Sequence, residues 1–257
     1  MAALAIAARL ASWQVPFRQA VGNARQLGFD GVELLATGDF LPRLLSQTGR
    51  REIAQIVRSH ELKIASVGCV MRHGLDVPER QESRIAYVKE VLSLSKDLGA
   101  AVAILPTGPV TPGRESAGNQ LTEAVGAIGT HADRIGASLA LELGDNSPEE
   151  FAAFVGGFDA GAVGVCVDPA ALFGRGIEPA DAIGHLQEYI RYVYAQDARR
   201  SSSSRQSTAV PLGEGDIDWM KFLSALLESG YRGWFGVDEP VERSKASIGF
   251  LRRIGVS

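Results

Sequence analysis

The stretch ASLALELGDNSPEEFAAFVGGFDAGAVGVCVD, residues 137–168, carries one complete strand–helix–strand unit. ASLALEL (137–143) and AVGVCVD (162–168) are short apolar runs, and PEEFAAFVGG (148–157) between them has helical spacing. Ser147 and Glu150 set a capping box at the start of that helix. Strands joined through a crossover helix lie parallel. The alternation along each run then gives the facing of its side chains, because the outer face of a parallel barrel packs on helices and is aliphatic. Leu139, Leu141 and Leu143 face the helices, so Ser138, Ala140 and Glu142 point inward. Val163, Val165 and Val167 face out, so Gly164, Cys166 and Asp168 point inward.

The same unit repeats in both directions. Apolar runs stand at LAIAA (4–8), GVELL (31–35), KIASVGCV (63–70), AAVAILP (100–106), IRYVYAQD (190–197) and GWFGVDE (233–239), which with the first two makes eight. Helical spacing fills the gaps, in PFRQAVGNARQLG (16–28), REIAQIVRSH (51–60), RIAYVKEVLSLSKDLG (84–99), NQLTEAVGAIGTHADRIG (119–136), EPADAIGHLQEY (178–189) and DWMKFLSALLESG (218–230). VERSKASIGFLRRIG (241–255) closes the chain. Several helices end in glycine just before a strand, as a left-handed C-cap requires. Eight alternating strands in 257 residues predict a (β/α)8 TIM barrel, one α/β domain over 1–257. Its active face lies at the C-terminal ends of the strands. The segment RRSSSSRQSTAVPLGEGD (199–216) reads as a mobile βα loop on that face.

Bulk properties narrow the partners. The formal net charge of −4 argues against nucleic acid, which asks for a surplus of Lys and Arg on one face. Cys69 and Cys166 sit inside apolar runs and read as small buried hydrophobes. No apolar run reaches the length of a membrane span, and the apolar start MAALAIAARLAS reads as a first strand rather than a signal peptide. A cytoplasmic protein with a small-molecule substrate is expected. Apolar surface on barrel helices is compatible with a homodimer.

In the last strand, Phe235 and Val237 face out, so Asp238 points inward and Glu239 does not. Glu142, Asp168 and Asp238 therefore converge at the barrel mouth from three strand tips. A single tip carboxylate has an ordinary reading as a cap or a salt bridge. Three together repel one another unless a cation or a ligand offsets them, and a hard divalent ion is a common solution. On strand seven, Val193 and Ala195 face out, which turns Tyr192, Tyr194 and Gln196 inward. Gln196 offers a carbonyl oxygen and Tyr194 a hydroxyl donor. Glu33, Arg72, His73 and Arg200 are candidate substrate contacts on the same face, with bonding to loop amides the plainer reading of Glu33 and a solvated basic pair that of Arg199 and Arg200. His60, His131 and His185 fall in helical segments and read as surface or packing residues.

PLGEGDIDWMKFLSALLESGYRGWFGVDEP (211–240) resembles the closing segment of the sugar phosphate isomerase/epimerase family, the xylose-isomerase-like barrels. RQLGFDGVEL (25–34), KDLGAAVAILPTG (96–108) and GVCVDPAALFGRGIEP (164–179) are similar to further family segments. The resemblance implies a divalent metal, Mn²⁺, Mg²⁺ or Zn²⁺, held by Glu142, Asp168 and Asp238, with Gln196 as a substitute ligand. Tyr194 stands where the family has a histidine ligand, and Ala171 where it has a second histidine. The implied activity is a sugar or polyol isomerase or epimerase. Glu142 and Asp238 would move the proton next to a carbonyl, with Tyr194 as an oxyanion donor. A dehydratase on a keto-inositol-like substrate uses the same first step, and a metal-free carbohydrate-binding relative would use none. An endonuclease of the same fold needs a histidine-rich metal cluster and a basic surface, which this chain lacks.

Overall fold

Glycine at the ends of the first and third long helices decides where the chain turns back into the sheet. Gly28 and Gly99 take left-handed φ values of 92° and 83°, and each is followed within a few residues by a strand. The computed structural model describes residues 5–100, 102–107, 115–159, 161–200 and 207–256. Residue 4 of the first expected strand, residue 101 of the fourth and residues 201–206 of the expected loop lie outside these.

Eight parallel strands close into a barrel. They are β1 (Ala5–Arg9), β2 (Gly31–Leu35), β3 (Lys63–Gly68), β4 (Val102–Pro106), β5 (Ser138–Glu142), β6 (Val163–Val167), β7 (Ile190–Tyr194) and β10 (Trp234–Val237). β1 pairs with β2 on one side and with β10 on the other, which shuts the ring. Each of the eight expected apolar runs contributes one of these strands. Between β7 and β10 a further pair, β8 (Asp197–Arg200) and β9 (Ser207–Val210), forms a separate antiparallel ribbon. The segment expected as a loop is thus in part a β-ribbon; the polar serine tract hides it, since neither arm shows apolar alternation.

The helices around the barrel are α1 (Phe17–Leu27), α2 (Gln47–Ser59), α3 (Gln81–Leu98), α4 (Glu115–Ile135), α5 (Pro148–Gly156), α6 (Pro169–Gly174), α7 (Pro179–Leu186), α8 (Trp219–Glu228) and α9 (Val241–Arg253). The Ser147–Glu150 capping box at α5 is present in both directions. α6 was not expected, although Asp168 followed by Pro169 is a good helix start.

Two cores follow from strand alternation. Leu139, Leu141, Val165, Val167, Val193 and Phe235 are buried between sheet and helices. Burying one such side chain contributes roughly 1.5–3 kcal/mol. Inside the barrel, Ala7, Ala65, Ile104, Ala140, Cys166, Tyr192 and Tyr194 form a second, smaller cluster. Small residues on four strands, Ala7, Ala65, Ala140 and Cys166, leave room for the two tyrosines of β7, whose rings meet edge-on at 5.5 Å. Both cysteines are free and buried, as expected. Among the described residues no helix is long and apolar enough to cross a membrane.

Candidate active site

The two carboxylates of β5 and β6 arrive at the barrel mouth because their strands are in register. Glu142 pairs with Cys166 in the β5–β6 ladder, and Asp168 lies one inward position further along. Both line a cavity of about 570 Å³ together with Arg9, Cys69, Pro106, Cys166, Arg175, Tyr194 and Gln196. Burial pushes the Glu142 carboxyl up to about 6; Arg9 pulls against this, and Asp168 and Glu33 add to it. Burial likewise pushes Asp168 up to about 6, against the pull of two backbone N–H groups, with Asp238 adding to the rise. Those N–H groups belong to Ala170 and Ala171 and donate to Oδ1 at 2.9 and 3.3 Å. Asp168 therefore serves as the cap of α6 with one oxygen and lines the cavity as well.

Asp238 reaches the same end of the barrel but is bound up. Its Oδ2 accepts from Arg9 Nη1 at 2.7 Å, and its Oδ1 accepts from the Ser12 hydroxyl. It lines an adjoining cavity of about 360 Å³, and Gln196 lines both. Glu239 has the opposite facing: it is buried and its Oε1 accepts from Leu212 N–H at 3.1 Å. Asp238 and Glu239 both line the adjoining cavity, and neither lines the one that Glu142 and Asp168 share.

Arg9 is the residue that the sequence reading missed. It ends β1, with Nε 3.1 Å from Glu33 Oε1 and its guanidinium 5.5 Å from the centre of the Tyr194 ring. Strand alternation alone would have found it. Ile6 and Ala8 pack outward and Ala7 inward, so Arg9 takes the next inward position. Arg175 was missed too. It lines the cavity and donates to the carbonyls of Gly144, at 2.6 Å, and Asn146.

Four expected substrate contacts need correction. Glu33 is not a strand-end group bonding loop amides. It is the middle residue of β2, fully buried, and it accepts from Ser66 Oγ at 3.0 Å and from Tyr194 OH at 3.1 Å. Burial raises its pKa, with Arg9 as the largest opposing influence. It supports the cavity from below and does not line it. Arg72 and His73 are exposed in the segment after β3 and are not among the residues lining the cavity. Arg200 is exposed on β8 and stacks on Phe173 at 4.8 Å rather than entering the cavity. The fifth, Tyr194, does line it.

The PLGEGD segment is held by Asp197, which also requires its second glycine, Gly215. The Asp197 side chain is buried, and its Oδ2 accepts from the N–H groups of Gly213 at 2.9 Å and Gly215 at 3.1 Å. A Cβ on Gly215 would stand 2.0 Å from Asp197 Oδ1, so no other residue fits there. Asp197 thereby ties the β8–β9 ribbon to the entry of α8.

The residues at the mouth do not suit a divalent ion. Both oxygens of Asp238 are engaged, and the Arg9 guanidinium already brings positive charge beside it. Burial holds the Tyr194 phenol well above its ordinary pKa, so it is a proton donor to Glu33 and not an anionic ligand. Among the described residues, no three His, Cys, Asp or Glu side chains gather in a way that could hold a metal. Of the expected set, Glu142, Asp168 and Gln196 line one cavity, while Asp238 lines the adjoining one and is bonded to Arg9 and Ser12.

Comparison with known proteins supports the architecture. A family model described as xylose isomerase-like TIM barrel matches residues 21–254. A xylose isomerase domain protein from Planctomyces limnophilus superposes with a TM-score of 0.85 at 21% identity, over 98% of this chain and 96% of that one. A xylose isomerase-like TIM barrel protein from Mycobacterium smegmatis, in complex with magnesium, superposes with a TM-score of 0.79 at 19% identity, over 99% and 97%. D-psicose 3-epimerase from Clostridium cellulolyticum, with D-tagatose, gives 0.80 at 17% identity, over 98% and 99%. Comparison with curated proteins gives no match.

Proposed function

The chain belongs to the xylose isomerase-like TIM-barrel family, and on that footing we propose that it is a sugar or polyol isomerase or epimerase that moves a proton at the carbon next to a carbonyl. The observation that carries this reading is the pair Glu142 and Asp168, each raised to about 6 by burial, on one cavity large enough for a monosaccharide. A carboxyl near neutrality suits a general base or acid at working pH. Structural relatives that include a D-psicose 3-epimerase with D-tagatose support the substrate class.

In this reading Glu142 takes the C–H proton and the electron pair moves onto the carbonyl oxygen as an enediolate. A protonated carboxyl then returns a proton to the carbon, and return on the opposite face inverts it. The sequence reading pairs Glu142 with Asp238. Both Asp238 oxygens are engaged, so Asp168, with Oδ2 uncommitted to the α6 cap, is the better partner.

The test is a panel of ketoses and keto-polyols incubated with the protein and followed by proton NMR. An epimer or isomer as product, lost in Glu142→Gln, supports the reading. Loss of water to an enone would instead identify the dehydratase chemistry. A second reading, carbohydrate binding without turnover, draws on the poor fit of the mouth to a metal; binding in calorimetry with no product from any sugar in the panel would establish it.

A further inference from the structure

Arg9 joins the barrel's first strand to both of its neighbours. Its Nε faces Glu33 of β2 at 3.1 Å, and its Nη1 faces Asp238, just past β10, at 2.7 Å. The guanidinium lies toward the face of the Tyr194 ring, and a ring face attracts a cation. Tyr194 holds the position at which the family resemblance expects a histidine. An imidazole there would offer a lone pair to a metal. The phenol instead gives its proton to Glu33 and its face to Arg9. The phenol is thus a proton donor and a partner for a cation, not a metal ligand.

We propose that the Arg9 guanidinium is the resident cation of this barrel mouth, occupying the charge position of a divalent metal and excluding one. Two of its five N–H donors face Glu33 and Asp238, and the side chain lines the cavity. It can therefore face an oxygen on which negative charge develops, at the place where a Lewis acid would otherwise act. The inference takes only the location of the site from the proposed function, and its test uses no sugar. A failure to find turnover and a failure of this inference are therefore separate results.

The experiment is Mn²⁺ uptake by the full chain after treatment with a chelator and its removal, read from the loss of the free-ion paramagnetic resonance signal. The wild type is expected to take up far less than one equivalent. Arg9→Met removes the charge while keeping a long apolar stem, and it is expected to gain saturable uptake near one equivalent. Should Arg9→Met not fold, Arg9→Met combined with Glu33→Gln removes the interior charge that Arg9 balances and leaves Glu142, Asp168 and Asp238 in place. The same gain is expected of it. One equivalent bound by the wild type and lost in Asp168→Asn would overturn the proposal. So would absence of uptake in both the wild type and the folded variant without Arg9, since exclusion would then not be due to Arg9.

Discussion

Arg9 Nη1 stands 2.7 Å from Asp238 Oδ2, joining the tip of the first barrel strand to the tip of the last. The same guanidinium holds Glu33, which is fully buried, at 3.1 Å. The pair at Asp238 is partly exposed and screened, whereas Glu33 has no water to turn to. Losing Arg9 therefore costs chiefly through Glu33.

For Arg9→Met we expect destabilisation of roughly 3–5 kcal/mol, the usual cost of leaving one member of a buried pair alone. Glu33→Gln in the same chain should recover most of it, because the amide carries no charge to balance. Urea unfolding of the two variants and the wild type gives the answer. Equal losses in the single and the double variant would show that the arginine acts by packing alone.

Stability should fall as pH rises from about 4 to about 6. Glu142 and Asp168 have folded pKa values of about 6, above their ordinary values of 4.5 and 3.8. In that window the unfolded chain has released protons that the folded chain still holds, so raising the pH favours unfolding. The stabilising contribution is complete below the unfolded values and is lost as the pH passes through about 6. For Glu142 the effect is about 2 kcal/mol. Glu142→Gln should remove its share and raise the melting temperature at pH 8 relative to wild type. Melting curves across this range would show it; an unchanged pH slope in Glu142→Gln would count against the buried, raised carboxyl.

Asp197→Ala should unpair the N–H groups of Gly213 and Gly215, costing on the order of 1–3 kcal/mol for each group left without a partner. The loss should concentrate in the β8–β9 ribbon. Hydrogen exchange is the measurement: faster exchange at 207–216 with the barrel strands still protected is expected. Uniformly faster exchange through the barrel would mean that Asp197 supports the whole fold.

Much of this architecture is legible in the chain itself. The eight strands are legible because their outer faces are apolar, most plainly Leu139, Leu141, Val163, Val165 and Val167 at every second residue, and that period also turns Glu142 and Asp168 inward. The same rule applied to LAIAAR would have found Arg9, but an arginine at a strand end reads as a solvated charge until its partners are known. Alternation with Val32 and Leu34 outward turns Glu33 inward as well, but its depth in the barrel, at the third residue of β2, shows only in the structure. The β8–β9 ribbon was hidden because Asp197–Arg200 and Ser207–Val210 are held by ladder bonds and the Asp197 carboxylate, not by an apolar face. Arg175 gives no sequence signal at all, as its place depends on carbonyls of the β5–α5 segment.

The central claim is that Glu142 moves a proton at a carbon next to a carbonyl, and solvent exchange tests it most directly. The protein, incubated in D₂O with the ketose that the product screen identifies, should place deuterium at the carbon adjacent to the carbonyl, as read by mass spectrometry and NMR. Glu142→Gln should lower the rate by about 10²–10⁴-fold, the usual contribution of a positioned general base. Deuterium entering at the wild-type rate in folded Glu142→Gln would contradict the account.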